Sequence, residues 1–239
     1  MKFFLLAFSF TFILSGCSSL ELEAVRSSEQ ETQRILALGL SHEENLVEAS
    51  KLDTPHKVAV VTLQLKNARD EKIQADIDLK DSNKYAEEVI ILEDGSKFIS
   101  PEISENLKNG VLDTDVEQLT YRIEGSKDVT NMLINHQLKL SFAYNSKNKR
   151  NYNAVKFCDK WNNCDDSSQE INVISVNASN CKNNLCEYEE KITLELSDSF
   201  LKDSIDKGFS MRLISDKKTS SIKIPKALLM GYLKAVIRN

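Results

Sequence analysis

From Leu138 to Tyr144 every second residue is large and apolar: Leu138, Leu140, Phe142 and Tyr144. A period of two places such residues on one face of a pleated strand, so a chain written this way must build a sheet with one face buried. The pattern recurs in Leu119, Tyr121 and Ile123, in Val155 and Phe157, and in Ile192, Leu194 and Leu196 within 187–197. Residues 170–178 read as another strand. Residues 211–214 and 221–224 read as a last hairpin. Ala59, Val61, Leu63 and Leu65 alternate along 57–66, and Ile73, Ala75, Ile77 and Leu79 along 72–80. With the polar stretch 67–71 between them, these predict a further hairpin. Asp94-Gly95, between 88–93 and 97–99, is a strong two-residue turn signal, because Gly and Asp tolerate the positive φ of a type I′ turn. Lys147 to Arg150 reads as a basic, solvated turn, and 100–118 as a loop with one helical turn.

The longer helical signals lie toward the two ends. Ile35, Leu36 and Leu38 stop at Gly39, and Ser41 with Glu44 three residues later forms a capping box before Leu46, Val47 and Ala49. Asp198 to Lys207 predicts a short helix stopped by Gly208. Pro225 then opens a C-terminal helix in which Gly231 predicts close packing on a strand. The expected fold is α+β to mainly β. It has nine or ten predominantly antiparallel strands, an N-terminal helical arm and short C-terminal helices.

The N-terminus carries an address. Met1 and Lys2 precede an apolar run, Phe3 to Leu14, that is too short to span a bilayer, which takes ~20 residues. It has the length of a signal-peptide core. The four residues Leu14-Ser15-Gly16-Cys17 resemble the lipobox of bacterial lipoproteins. That resemblance implies cleavage before Cys17, acylation of its thiol and amino group, and attachment to the membrane by lipid. Ser18 after the cysteine resembles the outer-membrane-directed pattern, which implies a Gram-negative outer membrane with the chain facing the periplasm. The expected organisation is a signal peptide at 1–16, a lipidated tether at 17–31, a helical arm at 32–54 and a strand-rich periplasmic domain at 55–239. That last domain has a possible division into two lobes near 100–118.

The whole chain has a net charge of −5. No basic stripe is available to neutralise phosphates, which argues against nucleic acid as a partner. The four remaining cysteines, Cys158, Cys164, Cys181 and Cys186, are exported to an oxidising compartment and read as disulfides. Local pairs, Cys158–Cys164 and Cys181–Cys186, are favoured as hairpin-end clips. A four-thiolate zinc site is the alternative, but the five residues between the first two cysteines exceed the usual knuckle.

Catalytic constellations are weak. His42 is followed by Glu43 and Glu44 but has no second histidine at metal-binding spacing. His56 sits at the expected strand entrance, and His136 reads as a surface or edge residue. There is no G-x-S-x-G elbow and no phosphate-binding glycine loop. No motif calls for a cofactor, a resident metal or a catalytic residue. The one polar cluster with a recognition chemistry is Asp159, Asn162 and Asn163 around Trp161, the single tryptophan. Its indole could stack on a sugar while the amides bond hydroxyls. The expected role is a non-catalytic interaction or envelope-assembly module with an envelope protein as partner. A glycan or small-ligand binding module is the alternative, and a cell-wall hydrolase a weaker third.

Overall fold

The computed structural model describes residues 25–92, 95–106, 116–128, 130, 133–160, 163–215 and 219–238. It divides into two compact units, Met1–Asp76 and Ile77–Asn239.

The first unit is helical. Helix α1 is described over 25–36, so helix already occupies part of the stretch expected to be a tether. Gly39 follows at φ +66°, the left-handed turn that ends a helix. Helix α2 (His42–Ser50) starts with the expected box: the Ser41 hydroxyl accepts from Glu44 N–H, and the Glu44 carboxylate accepts from Ser41 N–H at 2.8 Å. The Ser41 N–H, and after it the Ser41 hydroxyl, hold the Glu44 carboxyl below its usual range. Helix α3 (Pro55–Glu88) runs for 34 residues. Ile35, Ala49, Val61 and Leu65 form the small buried core of this unit.

Helix α3 overturns the predicted hairpin at 57–66 and 72–80. Val58, Val61 and Leu65 also satisfy a helical i, i+3, i+7 period, and Val61 and Leu65 are the residues that are buried. No glycine or proline interrupts 56–88, and 67–71 contains Ala, Arg and Glu, which are good helix formers. Without a turn residue, the alternation had nothing to fold back on. Ile73, Ile77 and Leu79 are exposed.

The second unit holds twelve strands among the described residues, more than the nine or ten expected, and every pairing is antiparallel. They are β1 (Ile90–Leu92), β2 (Lys97–Ile99), β3 (Ile103–Asn106), β4 (Val116–Lys127), β5 (Ile134–Ser146), β6 (Tyr152–Lys160), β7 (Asn163–Cys164), β8 (Gln169–Glu170), β9 (Asn172–Lys182), β10 (Leu185–Leu196), β11 (Phe209–Ser215) and β12 (Thr219–Ile224). One sheet has the order β1-β2-β4-β5-β10-β9, with β3 also pairing β4. The other has the order β12-β11-β6-β7, with β8 also on β6. The predicted turn between β1 and β2 keeps Gly95 at φ +88°, while Asp94 lies outside the described residues. Strands β3 and β4 pair with each other, so both sides of 107–115 belong to one sheet.

Helix α4 (Asp198–Asp203) and helix α5 (Lys226–Ile237) complete the unit. Pro225 is the N-cap of α5, one position earlier than expected. Gly231 packs on α3 rather than on a strand: a Cβ there would lie 2.7 Å from Ser82 O and from Tyr85 Cβ. Alternate residues of both sheets and the apolar face of α5 share one core, with Leu138, Leu140, Phe142, Leu213, Ile224, Leu228 and Leu229 all buried. No described helix is long and apolar enough to cross a membrane.

Candidate functional site

The four cysteines are two disulfides, in the local pairing. Cys158–Cys164 clips β6 to β7 directly across the ladder, and Cys181–Cys186 closes the end of the β9–β10 hairpin. Between the latter pair, Asn183 and Asn184 both adopt positive φ, +52° and +63°, as a type I′ connection requires. Asparagine tolerates that region better than most residues. The sulfurs are therefore not free to act as a set of four thiolate ligands.

The other predicted site residues fare differently. Cys17, Trp161 and Asn162 lie outside the described residues, as does the side chain of Asp159. Asn163 sits exposed in β7. Beside this loop is an open cleft of about 390 Å³, bordered by Phe157, Phe200 and Phe209, with Asp165, Lys207 and Lys223 among its polar residues. The three rings form one cluster, with Phe157 and Phe200 centroids 4.4 Å apart.

A second open cleft of about 390 Å³ lies on the solvent face of the larger sheet. Its middle is low because small side chains stand there: Thr120 on β4 faces Ser141 on β5, next to Ala143. Long charged side chains rise beside them. Arg122 and Lys139 both hold Glu124, at 2.7 and 2.6 Å, and Lys191 holds Glu189 at 3.2 Å. Burial pushes the Glu124 carboxyl up, but the hydrogen bonds from Lys139 and Arg122 outweigh it and keep it below its usual range. The charges of this cleft are thus matched among themselves. Ile174 of β9 closes its far side.

Beyond Ile174 is the edge of the sheet. Among the described residues β9 pairs only with β10, and most of its eleven residues are exposed. The ladder is regular over five positions, from Ser175↔Lys191 to Ser179↔Glu187, with register shifts on either side. An edge strand presents unpaired N–H and C=O groups that can accept another strand.

Two buried polar clusters escaped the sequence reading. His136, expected at the surface, is fully buried. Its Nδ1 lies 2.8 Å from Tyr232 Oη and its Nε2 3.4 Å from Asp198 Oδ1. One neutral tautomer satisfies both partners: the Tyr232 hydroxyl donates to Nδ1, and Nε2–H donates to Asp198. Burial pushes the imidazole down, against the opposing pull of Asp198. Lys202 in turn holds Asp198, at 2.7 Å, and keeps its carboxyl low. Gly125 makes room for this arrangement, since a Cβ there would lie 2.2 Å from Tyr232 Oη.

The second cluster pins the crossing from one sheet to the other, which corrects the expected solvated turn at its last residue, Arg150. Glu190, fully buried on β10, accepts from Tyr144 Oη and from the backbone N–H groups of Arg150 and Asn151, at 2.9 and 3.1 Å. The Arg150 guanidinium donates to Tyr152 Oη and Ser220 Oγ, and it lies 4.5 Å over the Tyr144 ring. Burial, together with the bond to Glu190, pushes the Tyr144 phenol up. Strand parity carried the signal for both missed residues. His136 shares the parity of Leu138 and Leu140, and Glu190 that of Ile192 and Leu194.

No protein-family model, curated protein or solved structure matches this chain.

Proposed function

We propose that this chain is a lipid-anchored, periplasm-facing outer-membrane lipoprotein that acts as a non-catalytic interaction module. In this reading it recruits an envelope protein by strand addition to β9, and Cys17 carries membrane attachment. The observation that supports the reading is the edge of β9, which has no second strand partner among the described residues. Its regular run from Ser175 to Ser179 pairs with β10 on one side and belongs to a hairpin closed at its end by a disulfide. Such pairing draws its affinity from main-chain hydrogen bonds and its selectivity from alternate side chains.

Proline scanning tests it, because successive N–H groups of an edge strand point alternately to the neighbouring strand and to open solvent. Of Asn177→Pro and Ala178→Pro, one removes a bond to β10 and lowers stability. The other removes only an outward N–H and should abolish capture of the envelope partner crosslinked at Ser175 in wild-type cells, with the fold intact. If both variants retain that crosslink, strand addition is wrong. Cys17→Ser tests the anchor separately. A variant that still partitions into detergent like wild type would remove it.

The aromatic cleft beside residues 158–166 favours a second reading, a glycan or small-ligand module. Trp161 is the only indole in the chain, so its emission should respond to soluble cell-wall fragments, and Trp161→Ala should remove the response. A flat titration would dispose of that reading.

A further inference from the structure

We propose that the corner between α1 and α2 is a membrane-docking site, at which Leu36, Leu38 and Leu40 enter the lipid interface. The inference rests on the anchored reading above and names a second contact with the same membrane. All three leucines are exposed, at 36, 48 and 39 %. They fall within five residues, at the end of α1 and the turn before α2. Among its described residues, the helical unit that carries them buries three large aliphatic side chains fully, Ile35, Val61 and Leu65. A unit that buries so few and presents three in a single turn has an uncovered surface.

Four backbone donors of the corner are already paired within the protein. Ala37 N–H bonds Gln33 O, Leu38 N–H bonds Ile35 O and Gly39 N–H bonds Leu36 O, while Ser41 N–H is taken by the Glu44 carboxylate. Groups paired in this way do not need water, and an unpaired amide in lipid costs several kcal/mol.

The length of chain before α1 names the occupant. Val25 follows Cys17 by eight residues. At ~3.6 Å each they reach ~29 Å at most. Helix α1 adds ~17 Å at 1.5 Å per residue. An acylated Cys17 therefore confines the corner to within a few tens of ångströms of the bilayer. Confinement at that range turns a weak patch into an intramolecular contact at high effective concentration. Residues 25–57 carry six acidic and four basic side chains, so attraction to anionic lipid is not the driving force. Burial of the leucines is, which makes docking insensitive to salt.

The test uses the mature lipidated chain in phosphatidylethanolamine vesicles with a minority of phosphatidylglycerol. Leu38→Cys supplies one reactive thiol for an environment-sensitive fluorophore, since the other cysteines are acylated or in disulfides. The expected result is a blue-shifted emission that lipids with nitroxides on their acyl chains quench for the most part, at low and high salt alike. Adding Leu36→Ser and Leu40→Ser should return the emission to its value in water while the protein still floats with the vesicles. A chain that floats but whose Leu38 probe stays water-like and unquenched overturns the docking site and leaves the anchor standing. A chain that is not acylated and stays in solution with an unquenched probe overturns both.

Discussion

Replacing Glu190 with alanine should be among the most damaging single changes in the molecule. One carboxylate oxygen, on a side chain with no exposure, accepts from the Tyr144 hydroxyl and from two consecutive backbone amides, those of Arg150 and Asn151. Those amides belong to the five-residue passage, 147–151, that carries the chain from β5 in one sheet to β6 in the other. Asn151 is there held at φ +55°. Truncation leaves the donors without that acceptor. A buried unsatisfied group costs about 1–3 kcal/mol. Arg150 N–H retains a bond to Tyr144 Oη at 2.9 Å, so the three losses do not add in full. A total of about 3–5 kcal/mol is expected, a large share of the 5–15 kcal/mol of a typical domain. Glu190→Gln keeps an acceptor oxygen and gives up the charge-assisted part of each bond, so it should cost about 1–2 kcal/mol. Urea unfolding followed by far-ultraviolet circular dichroism measures both. The midpoint should fall in the order wild type, Gln, Ala with an unchanged slope. An alanine variant within 1 kcal/mol of wild type, or a Gln variant no better than Ala, would refute the claim that this carboxylate holds the crossing together.

Three further outcomes follow from the same core. The native His136 imidazole is held below its unfolded value, so the unfolded chain takes up its proton first. Stability from this group is whole above about pH 6.5 and falls as pH drops toward the folded pKa, at no more than about 1.4 kcal/mol per pH unit. Asp198 and Glu124, both shifted down, lose their contributions only below about pH 4.5. The loss between pH 6.5 and 4.5 should therefore vanish in His136→Gln, and an equal slope in the variant would clear the histidine. Gly231→Ala drives a methyl against Ser82 and Tyr85 and should cost about 1–3 kcal/mol by thermal unfolding, because backbone lies in the way. Removing each disulfide should cost up to about 2 kcal/mol by the loop-entropy rule. Cys181–Cys186, at the end of an exposed hairpin, should shift the melting temperature less than Cys158–Cys164, and reduction should leave the core folded.

Much of the sandwich was legible because its strands are long and buried on one face. Leu138, Leu140, Phe142 and Tyr144 could sit together only on a pleated strand, and they do. The rule was applied too narrowly at its ends. Extended by two residues it places His136 inside, and along β10 it places Glu190 inside, although both side chains are polar. The first helices show the opposite failure. Over 57–66 the periods of two and 3.6 both fit, and the deciding observation was an absence, that no Gly or Pro follows before Gly95. Of the candidate sites, the cysteine pairs followed from proximity in sequence. The clefts did not, because Ser141, Thr120 and Ala143 become the low middle of a surface only after β4 and β5 align them. The edge position of β9 was equally invisible, since pairing order is a property of the whole sheet.

That edge also has a physical logic of its own. Long, flat edge strands pair indiscriminately, and natural sheets blunt them with bulges, charges or short length. β9 carries such devices at both ends of its regular run. A register shift lies between Lys191 and Ile192 on one side and between Leu185 and Glu187 on the other. Asn180 adds a backbone twist at φ +49°. Lys182 places a charge near the hairpin end. What remains regular is five residues, Ser175 to Ser179, in which only Val176 and Ala178 are apolar. Five residues are close to the length of an average strand, enough to receive one short segment of a partner. They are too few, too polar and too bounded to template a continuous sheet between copies of this chain. An edge limited in this way suits selective recruitment better than self-association, and lengthening it should reverse that balance. Asn180→Val with Lys182→Thr would extend the β-prone run toward the hairpin end. The expected consequence is concentration-dependent oligomers in sedimentation velocity, where the parent chain stays monomeric. A variant that sediments as the parent does would mean that Asn180 and Lys182 are not what limits the edge.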